Sequence, residues 1–273
     1  AVVRAGLNPV FVDVDDHALL DISLFSKAIT SRTRAVIPVH LYGQLADMSE
    51  IWKIASSAGL FVLEDAAQAH GTAGKGPSHA LAFSFYPGKN LGALGDAGAV
   101  VTDDMELAET VRAMANYGSR KKYYHEMEGS NSRIDELQAA MLNVKLKRLD
   151  ADNERRRIIA QLYTGELQNI ESHVIGFRLL HPTSESVHHV YPVFCLERDK
   201  LRMHLKALGI ETLIHYPIPL HQQPCLSRYN IANMTFPKAE CIASSVLSLP
   251  MSPVLTEDEV CQVIHAVQSF YGL

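Results

Sequence analysis

Short apolar runs bounded by turn residues alternate with amphipathic helical patterns through the first half of this chain, and that rhythm leaves few folds open. Pro9–Asp13 and Ala35–Pro38 read as strands, with a helix at about Ser23–Thr30 between them. The spacing predicts a helix near Asp47–Ala58, ended by Gly59 just past the C-cap, where a left-handed backbone suits glycine. A strand at Leu60–Leu63 follows, then apolar runs at Ala80–Ser84 and Ala97–Val101 and an amphipathic helix at Asp104–Met114. Strands separated by helices of this length build an α/β fold with a mostly parallel sheet flanked by helices on both faces. Ligands of such sheets bind beyond the carboxyl ends of the strands.

From Arg133 to about Asn169 the pattern is one long helix or a broken pair, which carries the chain onward. The remainder reads as a smaller C-terminal α+β domain. It has strands at Val190–Leu196 and Thr212–His215 and helices at Asp199–Leu208, Ala239–Ser244 and Thr256–Phe270. The expected division is 1–150 for a large domain and 151–273 for a small one, and 273 residues suffice for both.

A net charge of −5 gives no electrostatic reason to expect nucleic acid or an anionic membrane as partner. The basic triplet Arg155-Arg156-Arg157 reads as helix solvation. Charges interrupt every apolar run before it reaches membrane-spanning length. Cys195, Cys225, Cys241 and Cys261 form no Cys-x-x-Cys pair, so reduced thiols and a cytoplasmic location are expected. Ala1 is not a start methionine, and the first residues read as a turn entering a strand, so a chain lacking its N-terminal segment is expected.

The chemistry concentrates in Phe61–Val101. Asp65 follows an apolar strand, and Lys89 follows a later one in Tyr-Pro-Gly-Lys-Asn-Leu-Gly. A lysine that can lose its proton and a carboxylate that can keep a pyridine nitrogen protonated are what pyridoxal 5'-phosphate (PLP) needs. Gln68 could donate to the cofactor's phenolic oxygen and Ser84 to its phosphate. Each residue also has a plain alternative: a helix N-cap for Asp65, a solvated helix residue for Gln68, an edge-strand hydroxyl for Ser84, and an exposed turn for Lys89. Gly71–Gly76 lacks the spacing of a P-loop, and Gly92, Gly95 and Gly98 do not make a dinucleotide fingerprint. No Cys or carboxylate is patterned around His188-His189 to suggest a metal.

The segments EDAAQAHG and SFYPGKNLGALGDAGAVVTDD resemble the DegT/DnrJ/EryC1/StrS sugar aminotransferases. So do VHLYGQLADM (39–48), residues 116–142 and GIETLIHYPIPLHQQP (209–224). The SFYPGKN and HYPIPLH forms look most like the 3-aminotransferases of dTDP-3-keto-6-deoxyhexoses. The resemblance implies a fold-type I PLP enzyme, a homodimer with shared active sites, a nucleotide-sugar substrate and L-glutamate as amino donor. It makes Lys89 the Schiff-base lysine, Asp65 the pyridinium partner, Gln68 the neighbour of the phenolic oxygen and Ser84 a phosphate ligand. Asn131 matches an asparagine that reaches the neighbouring subunit's cofactor phosphate, though by itself it reads as a turn former. His215 and Tyr216 match a loop bordering the sugar nucleotide, and His189 a substrate-side histidine. In the family a further N-terminal segment supplies the main phosphate cradle, which lies before the position of Ala1. The rival expectations are a non-catalytic paralogue retaining the fold, and a sugar dehydratase, whose family members replace the lysine by histidine.

Overall fold

A computed structural model describes residues 1–182, 186–229 and 234–273. Two sheets organise the described residues. The first has the order β1 (Ala35–Val36), β2 (Phe61–Asp65), β3 (Ala80–Ser84), β4 (Gly98–Val101). β1, β2 and β3 run parallel, whereas β4 returns antiparallel to β3 with Ser84 opposite Gly98. The sheet is therefore mostly parallel, as expected, and β3 is an interior strand. Ser84 is thus not an edge-strand hydroxyl.

Helices α1 (Ile22–Ala28), α2 (Met48–Ser57) and α3 (Met105–Met114) each start on an aspartate whose side chain accepts a first-turn amide: Asp21, Asp47 and Asp104. Such caps satisfy donors that a helix cannot pair internally. α2 ends with Gly59 at φ 64°, the left-handed residue expected there. Its apolar stripe, Met48, Ile51 and Ala55, packs with Phe25, Val36, Leu60 and Val62 into the core under the first sheet.

The predicted long helix is a broken pair, α4 (Glu136–Leu146) and α5 (Leu149–His173). Ile159, Tyr163, Leu167 and Ile170 lie on one face of α5 and are fully buried. Burying side chains of this kind stabilises by about 1.5–3 kcal/mol each. They pack on the antiparallel sheet β5 (Phe177–Leu179), β6 (Tyr191–Cys195), β7 (Val246–Leu249), together with α6 (Arg198–Ala207) and α8 (Glu257–Phe270). α8 opens with a reciprocal Thr256–Glu259 capping box. α7 (Pro237–Ser245) has no cap of its own; Asp13 supplies it from 225 residues away, accepting Lys238 and Ala239 amides at 3.1 and 2.9 Å.

Three expectations are corrected. Pro9–Asp13 is not a strand: only the isolated Val14–Leu20 bridge forms nearby, and the Asp13 carboxylate is committed to α7. Thr212–His215 is reduced to a single bridge, Leu213 with Ser248, because the chain then turns and the Tyr42 hydroxyl takes the His215 carbonyl at 2.6 Å. Arg156 is not a solvated helix residue. It is buried and its Nη1 donates to the carbonyls of His188, His189 and Met251 at 3.2–3.4 Å. Among the described residues no helix is long and apolar enough to cross a membrane.

Candidate active site

Asp65 is the last residue of β2, at its carboxyl end, and its Oδ1 accepts the Ala67 amide at 3.1 Å. Strand alternation turns its neighbour Glu64 to the opposite face. There Glu64 is fully buried, 2.6 Å from His40 Nε2. His40 Nδ1 accepts the Ala46 amide at 3.2 Å, so Nε2 carries the proton and donates to Glu64. This buried contact ties residues 40–46 to β2. It leaves Asp65 to serve the other face.

Gln68 is buried and used at both ends of its amide. Its Oε1 accepts the Tyr42 amide at 2.6 Å, and its Nε2 donates to the Tyr216 hydroxyl at 3.2 Å. Tyr42 itself has φ 63°, followed by Gly43 at φ 91°. A Cβ on Gly43 would meet Val187 Cγ2 at 2.9 Å and the His189 nitrogen at 3.0 Å. Glycine here lets the 187–189 segment cross close by, with the Val187 and His189 amides donating to the Gly43 and Tyr42 carbonyls, both at 3.0 Å. His189 is brought to the site by that crossing.

Lys89 ends a four-residue turn closed by its own amide on the Tyr86 carbonyl at 2.9 Å, with Pro87 and Gly88 at the corner. The turn leaves the lysine partly buried. Burial lowers the pKa of its ammonium, and the Asp65 carboxylate opposes that shift in part. The lysine's charge is felt in turn by three histidines. His70 is pushed down to about 4 and His189 to about 3, in both cases first by burial and then with Lys89 contributing. His215 is lowered by burial and then by Lys89. The lysine's burial favours the free amine, the form that attacks a carbonyl or takes a proton.

Ser84 closes β3, its Oγ accepting the Tyr86 amide at 3.3 Å. His215 Nδ1 pairs with Ser248 Oγ at 2.9 Å, and Tyr216 is half exposed beside Gln68. Asn131 stands apart: it pairs with Asn116 in an isolated bridge and accepts from Arg133 Nε at 3.2 Å. The structure therefore brings Asp65, Gln68, Lys89, His189, His215 and Tyr216 into one linked group, with Ser84 at its edge through His70, and leaves Asn131 exposed on the 116–133 loop.

Residues not singled out from sequence complete the group. Asn90 Nδ2 donates to Asn153 Oδ1 at 2.9 Å and to the Val187 carbonyl at 3.0 Å, and its Oδ1 lies 3.1 Å from His189 Nδ1. Asn153 Nδ2 donates to the His70 carbonyl at 2.8 Å, and His70 Nε2 to the Ser84 carbonyl at 2.8 Å. The sole local signal was the position of Asn90, next to Lys89.

A partly buried amine of lowered pKa, a carboxylate at a strand end, an amide and a strand-end hydroxyl form a donor set that suits PLP. The fold and this set define a PLP-type α/β enzyme. The chain belongs to the DegT/DnrJ/EryC1/StrS aminotransferase family, whose sequence model matches residues 1–268, and that family is PLP-dependent. It is 48% identical over 276 residues to dTDP-3-amino-3,4,6-trideoxy-alpha-D-glucose transaminase of Streptomyces venezuelae, covering 99% of this chain and 72% of that protein. The crystal structure of S. venezuelae DesV in complex with a ketimine intermediate superposes with a TM-score of 0.93 at 46% identity, over 100% of this chain and 74% of that one. A Bacillus subtilis NtdA structure with bound PMP superposes at 0.92 with 31% identity, over 98% of this chain and 63% of that one.

Proposed function

We propose that this PLP-dependent sugar aminotransferase acts on a dTDP-3-keto-6-deoxyhexose with L-glutamate as amino donor, as a cytoplasmic homodimer with shared active sites. The observation that carries the reading is Lys89, partly buried with a lowered pKa and coupled to the carboxylate at the end of β2. The substrate class follows the relatives' transaminase names. We assign residues 1–150 to a PLP-binding domain and 151–273 to a smaller domain, in keeping with the two sheets.

PLP supplies an electron sink for a carbanion at the amino-bearing carbon. Lys89 holds the cofactor at rest and, once freed, its amine moves a proton at the substrate carbon in each half of the transfer. Asp65 keeps the pyridine nitrogen charged. Gln68, pinned by the Tyr42 amide, presents its Nε2 to the phenolic oxygen. The Ser84 hydroxyl binds phosphate, and Asn131 reaches the phosphate in the neighbouring subunit, which fits its exposure on the 116–133 loop. His189, His215 and Tyr216 border the sugar nucleotide. Two of these, His189 and His215, are held neutral by burial and by Lys89, so they accept hydrogen bonds from sugar hydroxyls without adding charge.

Lys89→Ala should abolish amino transfer to the keto-sugar, and borohydride should fix PLP to Lys89 in the unaltered chain. Undiminished transfer in the variant would refute the assignment.

A further inference from the structure

We infer that Asn90 is a positioning residue: it braces the Lys89 turn against α5 and locks His189 as the Nδ1–H tautomer, leaving Nε2 as the acceptor that reads a substrate hydroxyl. The inference rests on the aminotransferase reading of the site.

The orientations in the chain of contacts leave no freedom. The Val187 carbonyl can only accept, so the atom 3.0 Å from it is the Asn90 amide nitrogen. The Asn90 oxygen must then face His189, and an oxygen there can only accept, so His189 Nδ1 carries the hydrogen. Asn153 is fixed in the same way by the His70 carbonyl, which turns its oxygen towards Asn90. The His70 Nε2 is fixed by the Ser84 carbonyl, and its Nδ1 is buried with no hydrogen-bond partner among the described residues.

The two ends of the loop that carries Lys89 are therefore anchored to one side chain. Ser84 at the start is reached from Asn153 through His70, and Asn90 at the end is bonded to Asn153 directly. Asn153 is 1% exposed, so water offers no substitute for either bond. The route for Gly71 is equally tight: its φ is +93°, and a Cβ there would lie 2.7 Å from Asn153 Nδ2. Three of the four hydrogen-bonding positions of Asn90 are occupied, which immobilises the residue next to the reactive amine. A reactive group held this way loses little freedom on reaching its working geometry.

The second consequence concerns His189. Its backbone amide is tied to the Tyr42 carbonyl, which fixes the segment, and its ring is held through Nδ1 on Asn90, so turning the ring over would break that bond. Tautomer choice set by the partner of the other nitrogen is the usual way a protein fixes which side of an imidazole accepts. Nε2 thereby becomes a lone-pair acceptor beside Lys89.

The test has one arm that needs no cofactor. In the apo chain, nitrogen-15 spectra of labelled histidine should show His189 as Nδ1–H in the unaltered protein and as a mixture of tautomers in Asn90→Ala. In a second arm, PLP capture at Lys89 is followed by borohydride fixation and peptide mass. It should be at least about tenfold slower in Asn90→Ala, the factor that ~1.4 kcal/mol represents. Should Asn90→Ala fail to fold, Asn90→Asp carries the test: it keeps an acceptor for His189 but loses both donors. Its His189 should keep hydrogen on Nδ1 while capture falls by a similar factor. An Nδ1–H tautomer that survives in Asn90→Ala, or capture at the unaltered rate in either variant, overturns the inference. Absence of PLP capture in the unaltered chain would instead refute the functional reading and leave the tautomer arm standing.

Discussion

Lowering the pH from 7 to 5 should destabilise the apo chain by about 6 kcal/mol through three histidines, with His215, also lowered by burial, adding in the same direction. His70 and His188 are pushed down to about 4 and His189 to about 3 from an ordinary value of 6.5, in each case chiefly by burial. Arg157 and then Arg156 press further on His188, and Lys89 on the other two. The native pKa values lie below the unfolded ones, so below pH 6.5 the unfolded chain binds protons that the native chain refuses. Stability is fully present above pH 6.5 and is lost as the pH falls towards 4. At pH 5 each group sits about 1.5 pH units below its unfolded pKa and remains unprotonated in the native state, which costs about 2 kcal/mol per histidine. The three together approach the roughly 5–15 kcal/mol by which domains are usually stable. The carboxylates with lowered pKa values, among them Asp16, Asp21 and Glu240, titrate below this window and do not contribute to it. Urea unfolding followed by the fluorescence of Trp52, the single tryptophan, at pH 7, 6 and 5 measures the effect. His188→Asn, which tolerates the positive φ of 41° at that position, should reduce the loss by about 2 kcal/mol at pH 5. A wild-type loss below about 2 kcal/mol over this range, or an unchanged loss in the variant, would refute the reasoning.

Replacing Arg156 by Met should destabilise by about 2–4 kcal/mol in urea, because three partly buried carbonyls lose their shared buried donor; an effect under ~0.5 kcal/mol would show that water replaces it. Asp13→Ala should cost about 1–2 kcal/mol through loss of the α7 cap. Its marker is faster hydrogen exchange at the Lys238 and Ala239 amides, and unaltered protection there would contradict the capping role.

Much of the fold was legible because its signals are local. The apolar runs at Ala35, Leu60, Ala80 and Ala97 and the helical patterns opening at Asp47, Asp104 and Thr256 are short-range signals, and the elements formed close to where those signals placed them. β7 was missed because Val-Leu-Ser-Leu directly follows a helix and lacks any turn residue to announce a strand. Pro9–Asp13 carried a strand-like sequence but no ladder formed on it, since a strand needs a neighbour and sequence alone does not supply one. At the site, Asp65 was visible through its place at a strand end and Lys89 through the Pro-Gly turn that follows the next strand. The roles of Asn90, Asn153 and Arg156 were not, because each is defined by partners about 30 to 100 residues away. A charged triplet on a helix ordinarily means solvent; here one member of the three faces inward.

The junction between α4 and α5 falls near residue 150, between the segments that build the two sheets, yet the chemistry does not divide there. Asn153, a few residues beyond, reaches back to Asn90 and to the His70 carbonyl. Arg156, on the next turn of α5, holds the carbonyls of His188 and His189. A chimera that joins the first half of this chain to the second half of a relative therefore exchanges His188, His189 and the anchor of the lysine turn in one stroke. Such a graft should yield a working lysine only where the incoming helix offers an acceptor to Asn90. Compatibility between relatives then reduces to a contact that either half alone leaves incomplete.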